Sequence, residues 1–488
     1  MKFRSLNKIF LILIISTNII GCTSKSENIP VDIEVNDFVW KGLNAYYLWQ
    51  SAITDLADLR FSNQTELNSY LYGFAAPEVL FEDLLNRPTD RFSWIVNDYI
   101  ALENSFQGIN LNNGMEFGLV KNADNSGNVF GYVKYVIPNS DAAAKGIVRG
   151  LLFNTVDGNQ LDVNNYINLL FSENTSYTVG FADYNNGNPI TNGNSETLEK
   201  TEIQENSIGI SKTITDGTQK IGYLMYNQFS STFDGDLNTA FANFKSDNIN
   251  DLIIDLRYNS GGSVKSATYL GSMVTGQFTD QLYSKESWNE KVQANFSASA
   301  FINNFTDQIS NTDSNGNIVL NEAINSLGLT RVYFIVTNNT ASASELVINS
   351  LSSYIDVNLV GTRTTGKQVG SITLYDSENY RRTGSNLNQN HTYALQPLVL
   401  EIFNNDNKNQ PDGFLPGTTL PGIELEEDYN NLGALGERTE PLLDRTLVYI
   451  STGSKTNSKI RNENKLEEIY NSKLAKPTKD NMYVDFKK

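Results

Sequence analysis

Residues 332–367 read VYFIVTNNTASASELVINSLSSYIDVNLVGTRTTGK. The stretch opens on an unbroken apolar run, Val332 to Val336, the pattern of a strand buried on both faces. It passes through Asn338 and Asn339 into Thr340-Ala341-Ser342-Ala343-Ser344-Glu345. Val347, Leu351 and Tyr354 then recur at helical spacing, and Val357-Asn358-Leu359-Val360 predicts a second strand ending just before Gly361. Strand, helix and strand in this order predict an α/β core. Ligands of such sheets gather beyond the carboxyl ends of the strands. Ser342 and, after Gly361-Thr362-Arg363-Thr364-Thr365-Gly366, Lys367 both fall there.

A third strand, Leu252 to Leu256, leads to Arg257-Tyr258-Asn259-Ser260-Gly261-Gly262 at the same end of the sheet. Ser342 stands at a strand-to-helix junction, where helix N–H groups are unpaired. A serine becomes a useful nucleophile only beside a base. The whole chain holds one histidine, His391, in an Asn-rich stretch that predicts an exposed or partly packed residue. The base for such chemistry is therefore a lysine, and Lys367 is the candidate. A lysine works as a base once its pKa falls from about 10.4 to roughly 7–8, which burial can achieve. N–H groups at Gly261 or Gly262 and at Ala343 are the candidate oxyanion donors. The plainer alternatives are a Ser342 helix cap, a solvated Lys367 and a simple Gly261-Gly262 turn.

Upstream, Val35, Phe38, Val39, Leu43, Tyr46 and Tyr47 predict helix. With Leu84, Leu85 and Asp90-Arg91-Phe92-Ser93-Trp94 they suggest a small helical domain, tether included, over residues 22–105, its aromatic stripe read as core. Residues 106–195 change to strands with Gly turns. Gly114-Met115-Glu116-Phe117-Gly118-Leu119, then Gly131 to Val136, Pro138-Asn139-Ser140-Asp141-Ala142-Ala143 and Val156-Asp157-Gly158 resemble a PDZ domain. Asp141 stands where that pattern has its second proline. The resemblance implies that Glu116, Phe117, Gly118 and Leu119 receive the end of an extended peptide by strand addition. Residues 183–206, rich in Asn, Gly and Thr, predict an exposed linker or loop.

Lys2, Arg4 and Lys8 precede the apolar run Ile9 to Ile15, which is too short to span a bilayer. Ile19-Ile20-Gly21-Cys22 resembles the lipobox of bacterial lipoproteins. That implies removal of residues 1–21, lipidation of Cys22 and a place in the cell envelope, anchored in a membrane. Cys22 is the only cysteine, so no internal disulfide or His/Cys zinc site is possible. The net charge of −18 argues against nucleic acid as a partner. Asn311 to Glu322 matches calcium-loop spacing except at its first position, without convincing flanking helices.

The three core motifs in order, Asp255-Leu256-Arg257-Tyr258-Asn259-Ser260-Gly261-Gly262, Thr340 to Glu345 and Gly361 to Lys367, behind a PDZ-like region, resemble the C-terminal processing peptidases. These are the tail-specific serine proteases of family S41. The resemblance implies a multidomain α+β protein: small helical N-terminal domain, PDZ-like β domain, and a crotonase/ClpP-like α/β peptidase core over residues 196–455. Residues 456–488 would form a C-terminal tail. It also implies Ser342 as nucleophile, Lys367 as general base, an acyl-enzyme route without metal or organic cofactor, and protein or peptide substrates recognised by their C-terminal tails. Many members carry a glutamine four residues after the lysine; here Ser371 stands there and Gln368 lies beside Lys367, so the third member of the site stays open. A catalytically weak or inactive peptide-binding lipoprotein on the same scaffold is the alternative.

Overall fold

The computed structural model describes residues 29–455 and 466–485. The expected signal segment and Cys22 lie outside the described residues. Helices α1 (Glu34–Tyr46), α2 (Gln64–Leu71) and α3 (Pro77–Asp83) follow from local chemistry. Glu34 and Asp37 sit in the first turn of α1, where the helix dipole favours acids, Asn63 caps α2 through the Glu66 N–H, and Pro77 opens α3. Phe38, Val39, Leu43, Leu80 and Phe81 join one apolar core with Leu224, Phe241, Ile254, Phe334 and Val347. The helical segment thus has no separate core. Helices of 13, 8 and 7 residues bury their apolar faces against the larger layer beside them.

Next comes an antiparallel sheet. Its main strands are β1 (Met115–Lys121), β2 (Val129–Val136) and β3 (Leu152–Val156), then β4 (Ser176–Asp183) and β5 (Ile190–Glu199), with the short helix α4 (Tyr166–Leu170) between β3 and β4. Here one expectation is corrected. Much of the Asn- and Thr-rich stretch read as a loop is β5, an edge strand paired with β4 from Ser176↔Glu199 to Asp183↔Ile190. Its polar composition reflects a mostly solvent-facing strand, not absence of pairing.

The core sheet runs in the order β6 (Ile208–Asp216), β7 (Gln219–Tyr226), β8 (Asp251–Asp255), then three strands from later in the chain. Helix α5 (Asp234–Asp247) precedes β8; β9 (Gly262–Ser263), α6 (Val264–Val274) and β10 (Leu282–Trp288) follow it. The later core strands are β11 (Arg331–Val336), β12 (Asp356–Gly361) and, beyond β13 (Val369–Ser371) and β14 (Leu398–Phe403), β15 (Gly422–Glu424). All pair in parallel except β6 with β7. Alternate side chains explain the layers. Leu252, Ile254, Phe334 and Val336 face α5, α6 and α7 (Ala343–Leu351), while Ile253, Tyr333 and Ile335 face α8 (Pro441–Thr452).

Residues 466–485 are not a free tail, which is a second correction. They form β16 (Glu468–Asn471), which pairs with β1, and β17 (Met482–Tyr483), which lies between β9 and β13. Both strands are short, and their partners lie hundreds of positions away, so no local pattern announces them. The calcium-loop match is the tip of a β-hairpin, Gln308–Thr312 with Ile318–Ala323. Its Asp313 carboxylate accepts the N–H groups of Asn315 (2.9 Å) and Asn317 (2.8 Å). Among the described residues, no acidic, His or Cys cluster is placed to hold a metal, and no helix is long and apolar enough to cross a membrane.

Beneath the site, Arg257 is fully buried between Asp255 and Glu440; its Nη1 and Nη2 each lie 2.7 Å from a Glu440 oxygen. Glu440 also accepts the Leu443 N–H (2.7 Å) at the start of α8. Arg257→Met should therefore strand two buried carboxylates and lower the unfolding free energy by about 3–5 kcal/mol. A urea midpoint close to that of the parent would show that the ion cluster does not hold the strand ends.

Candidate active site

Ser342 immediately precedes α7 with φ 67° and ψ −117°, a backbone conformation strained for a residue with a side chain. It occupies the N-cap position of α7, closed by Glu345 three residues on, yet its Oγ is buried and has no hydrogen-bond partner among the described residues. Its N–H instead donates to Glu345 Oε2 at 2.9 Å. The same carboxylate accepts the N–H groups of Gly366 (2.7 Å) and Lys367 (2.8 Å) and the Thr364 hydroxyl. One buried side chain thus joins the loop after β12 to the turn that carries Ser342. Burial pushes the Glu345 carboxyl above its usual range, against the pull of these donors.

Lys367 and Ser342 are each 1% exposed and line one small cavity of about 10 Å³. Burial takes the Lys367 amine down to about 8, although Asp480, Asp90 and Glu345 pull it up. Its walls come partly from the helical segment. The amine lies 4.9 Å from the Phe92 ring centre and 5.7 Å from that of Trp94. Asp90, buried, turns this loop by accepting the N–H groups of Phe92 (3.0 Å) and Ser93 (2.9 Å), and Arg91 donates to the Gly366 carbonyl (2.7 Å). The amine itself donates to the carbonyl oxygen of Asp480. Neither open candidate for a third member holds that amine. Ser371 Oγ faces Gln396 Oε1 (2.9 Å) and Asn481 Oδ1 (2.8 Å), while the Gln368 carbonyl accepts the Ile402 N–H.

The glycine pair divides. Gly261 N–H is taken by Asn259 Oδ1 (2.9 Å), whose amide also donates to the Tyr226 carbonyl (2.8 Å). Gly262 N–H donates to the Asn481 carbonyl at 2.6 Å. Of the two alternatives read from the sequence, Gly261 has its N–H taken within the turn, and Gly262 gives its N–H to a carbonyl of the segment lying beside it. A Cβ on Gly261 (φ 114°) would lie 2.3 Å from the Asn481 oxygen, 2.6 Å from Ser342 Cβ and 3.1 Å from Ala343 N. These three groups therefore converge on one point, and no side chain fits there.

Glu116, Phe117, Gly118 and Leu119 lie in β1, whose open edge is taken by β16 with Leu119↔Tyr470 and Gly118↔Asn471 in register. Tyr470 packs on Phe171 (5.0 Å) and on Tyr166 of α4 (5.7 Å). His391 belongs to neither place; its ring stacks near Phe38 (6.2 Å) and contacts Asp376 (3.0 Å). Sequence reading missed Glu345, Asn259 and the Phe92/Trp94 wall. The first two stood inside the quoted motifs and could have been noticed as polar residues beside buried strands.

A model of Peptidase family S41 matches residues 220–393, and one of the Peptidase S41 N-terminal domain matches residues 34–94. Over these two stretches the chain is similar to Peptidase family S41 and to its N-terminal domain. Among solved structures, a protein of Bacteroides fragilis assigned to the S41 proteases is 22% identical. It aligns over 86% of this chain and 97% of its own, with a TM-score of 0.62, a likeness of fold. The photosystem II D1 C-terminal processing protease is 16% identical, over 83% of this chain and 95% of its own, with a TM-score of 0.47. Mature CPAF is 14% identical, over 87% and 99%, with a TM-score of 0.44. No curated protein sequence matches the chain.

Glu345→Ala should leave three backbone N–H groups without an acceptor and cost on the order of 3 kcal/mol or more in unfolding free energy. Denaturant unfolding measures this; a loss below about 1 kcal/mol would mean that water replaces the carboxylate freely.

Proposed function

We propose that the protein is a serine endopeptidase in which Ser342 is the nucleophile and Lys367 the general base. The observation that carries this is the pairing itself. A buried serine hydroxyl, unpartnered among the described residues and set at a strained helix entrance, shares a cavity with a lysine that burial holds down to about 8. The neutral Lys367 amine takes the Ser342 Oγ proton as Oγ bonds to the scissile carbonyl carbon. The N–H groups of Gly262 and Ala343 receive the negative charge that develops on the carbonyl oxygen. The proton then passes to the departing amine, and water hydrolyses the acyl-enzyme with Lys367 acting again as base. No metal is needed in this sequence.

We further propose that substrates are protein chains engaged through their C-terminal tails. Residues 106–195 act as a PDZ-like domain, and the edge of β1 offers strand addition. Lipidation at Cys22 would hold the enzyme in the cell envelope. The expected leader and the lipobox-like Ile19-Ile20-Gly21-Cys22 motivate that placement; labelling cells with a lipid precursor and comparing Cys22→Ser tests it.

The chain from residue 23 onward should cleave a loosely folded protein ending in an apolar tail, and Ser342→Ala and Lys367→Ala should each lose at least about 100-fold of that rate. Equal cleavage by all three would overturn the assignment. Tail binding without cleavage by any of them would favour the peptide-binding alternative.

Because the base must be neutral, the rate should be low below the lysine pKa and rise through about pH 8. A profile already flat from about pH 6 would show that Lys367 is not the titrating base.

A further inference from the structure

The cleft that a substrate would enter is filled by the chain itself. From β16 onward, the segment makes contacts of the kind expected of a bound peptide. Lys121 N–H donates to the Glu467 carbonyl (3.1 Å), and Phe117 N–H donates to Ser472 Oγ (3.0 Å) at the loop that would receive a peptide end. Lys476 then neutralises two buried acids, Glu116 (2.7 Å) and Glu205 (3.2 Å). Trp94 Nε1 donates to the Pro477 carbonyl (3.1 Å), turning the chain toward Lys367.

In the cleft the likeness to a substrate is closer still. β17 lies parallel between β9, which begins with Gly262, and β13, which begins two positions after Lys367. The Asn481 carbonyl sits on the Gly262 donor. Its side chain meets Ser371, and Met482 beside it is wholly buried in the main core. Yet the geometry is unproductive. The Lys367 amine donates to the Asp480 carbonyl, and Ser342 Oγ has no partner among the described residues, so serine and lysine are not hydrogen-bonded to each other here.

We propose that residues 467–484 are a resident pseudo-substrate that closes the site, and that an incoming chain must displace them by making the same contacts. This rests on the Ser342/Lys367 assignment above. The segment then reports what the site accepts: an extended chain, a small amide side chain at the position of Asn481 read by Ser371, and a buried apolar side chain after it. A tethered segment competes at an effective concentration near millimolar, so short weak peptides do not open the site. Asn481 Nδ2 is buried without a partner among the described residues, a defect that weakens the seat and favours exchange.

The test uses the full chain carrying Cys22→Ser, with Lys121→Cys and Glu467→Cys added at the exposed end of the β1–β16 ladder. Ser342 labelling by a fluorophosphonate and cleavage of a loosely folded protein are measured oxidised and reduced. Lys476→Gln, which loosens the seat without a tether, is the second arm. Labelling should fall about tenfold on oxidation and return on reduction, and Lys476→Gln should label about tenfold faster than the parent. Equal rates across these forms would overturn the pseudo-substrate while leaving the serine assignment standing. No labelling or cleavage in any form would overturn the serine assignment and this proposal with it. An intact mass ending at Asn481 would also overturn it, because the segment would then be a product.

Discussion

The Glu345 carboxylate is the contact on which the site depends. Ser342 and Lys367 belong to separate connections, one after β11 and one after β12, and neither loop could hold its reactive group in place alone. By accepting N–H groups from both, Glu345 makes the two loops a single body. It also allows the Ser342 backbone its strained geometry, because the N–H that the twist turns inward meets an ionisable acceptor. Below it, Asn259 plays the matching part for the glycine turn. Arg257 ties the end of β8 to the start of α8. Polar groups buried in this way are costly unless every partner is present. The motif residues that touch no substrate are therefore as constrained as those assigned to the chemistry.

The same economy of joints recurs at larger scale. The helical segment, the antiparallel sheet and the α/β core are linked by residues 466–485, which contact all three. Glu468 reaches Lys134 of β2 (3.0 Å) and Asn339 before Ser342 (3.1 Å). Backbone pairing and charged side chains make much of the link, and Met482 and Tyr470 add apolar anchors. That is the kind of contact suited to exchange with another extended chain.

Much of this was legible in the chain and some was not. Val332 to Val336 and Leu252 to Leu256 showed as buried strands because an apolar run of that length has few other uses. Their ends, with that of Val357 to Val360, drew attention to Ser342, the Gly261-Gly262 pair and Lys367. The division of labour within the glycine pair did not show, since it depends on Asn259 reaching back to Gly261. Phe92 and Trp94 were read as core because an aromatic stripe looks alike whether it covers leucines or an amine. β5 was hidden by its composition, and β16 and β17 by their distance from the strands they join. The misses at Phe92, Trp94, β16 and β17 come from partners remote in sequence, which periodicity cannot register.

The aromatic wall around Lys367 has an evolutionary corollary. The dryness that keeps this amine near neutrality is supplied in part by a loop whose Arg91 lies 275 positions from the Gly366 it contacts. The acidity range in which such a protein operates can thus drift through changes in its helical segment while every residue of the serine and lysine motifs stays fixed. Two chains with identical motifs need not share a habitat, and the first place to look for the difference is residues 90–94.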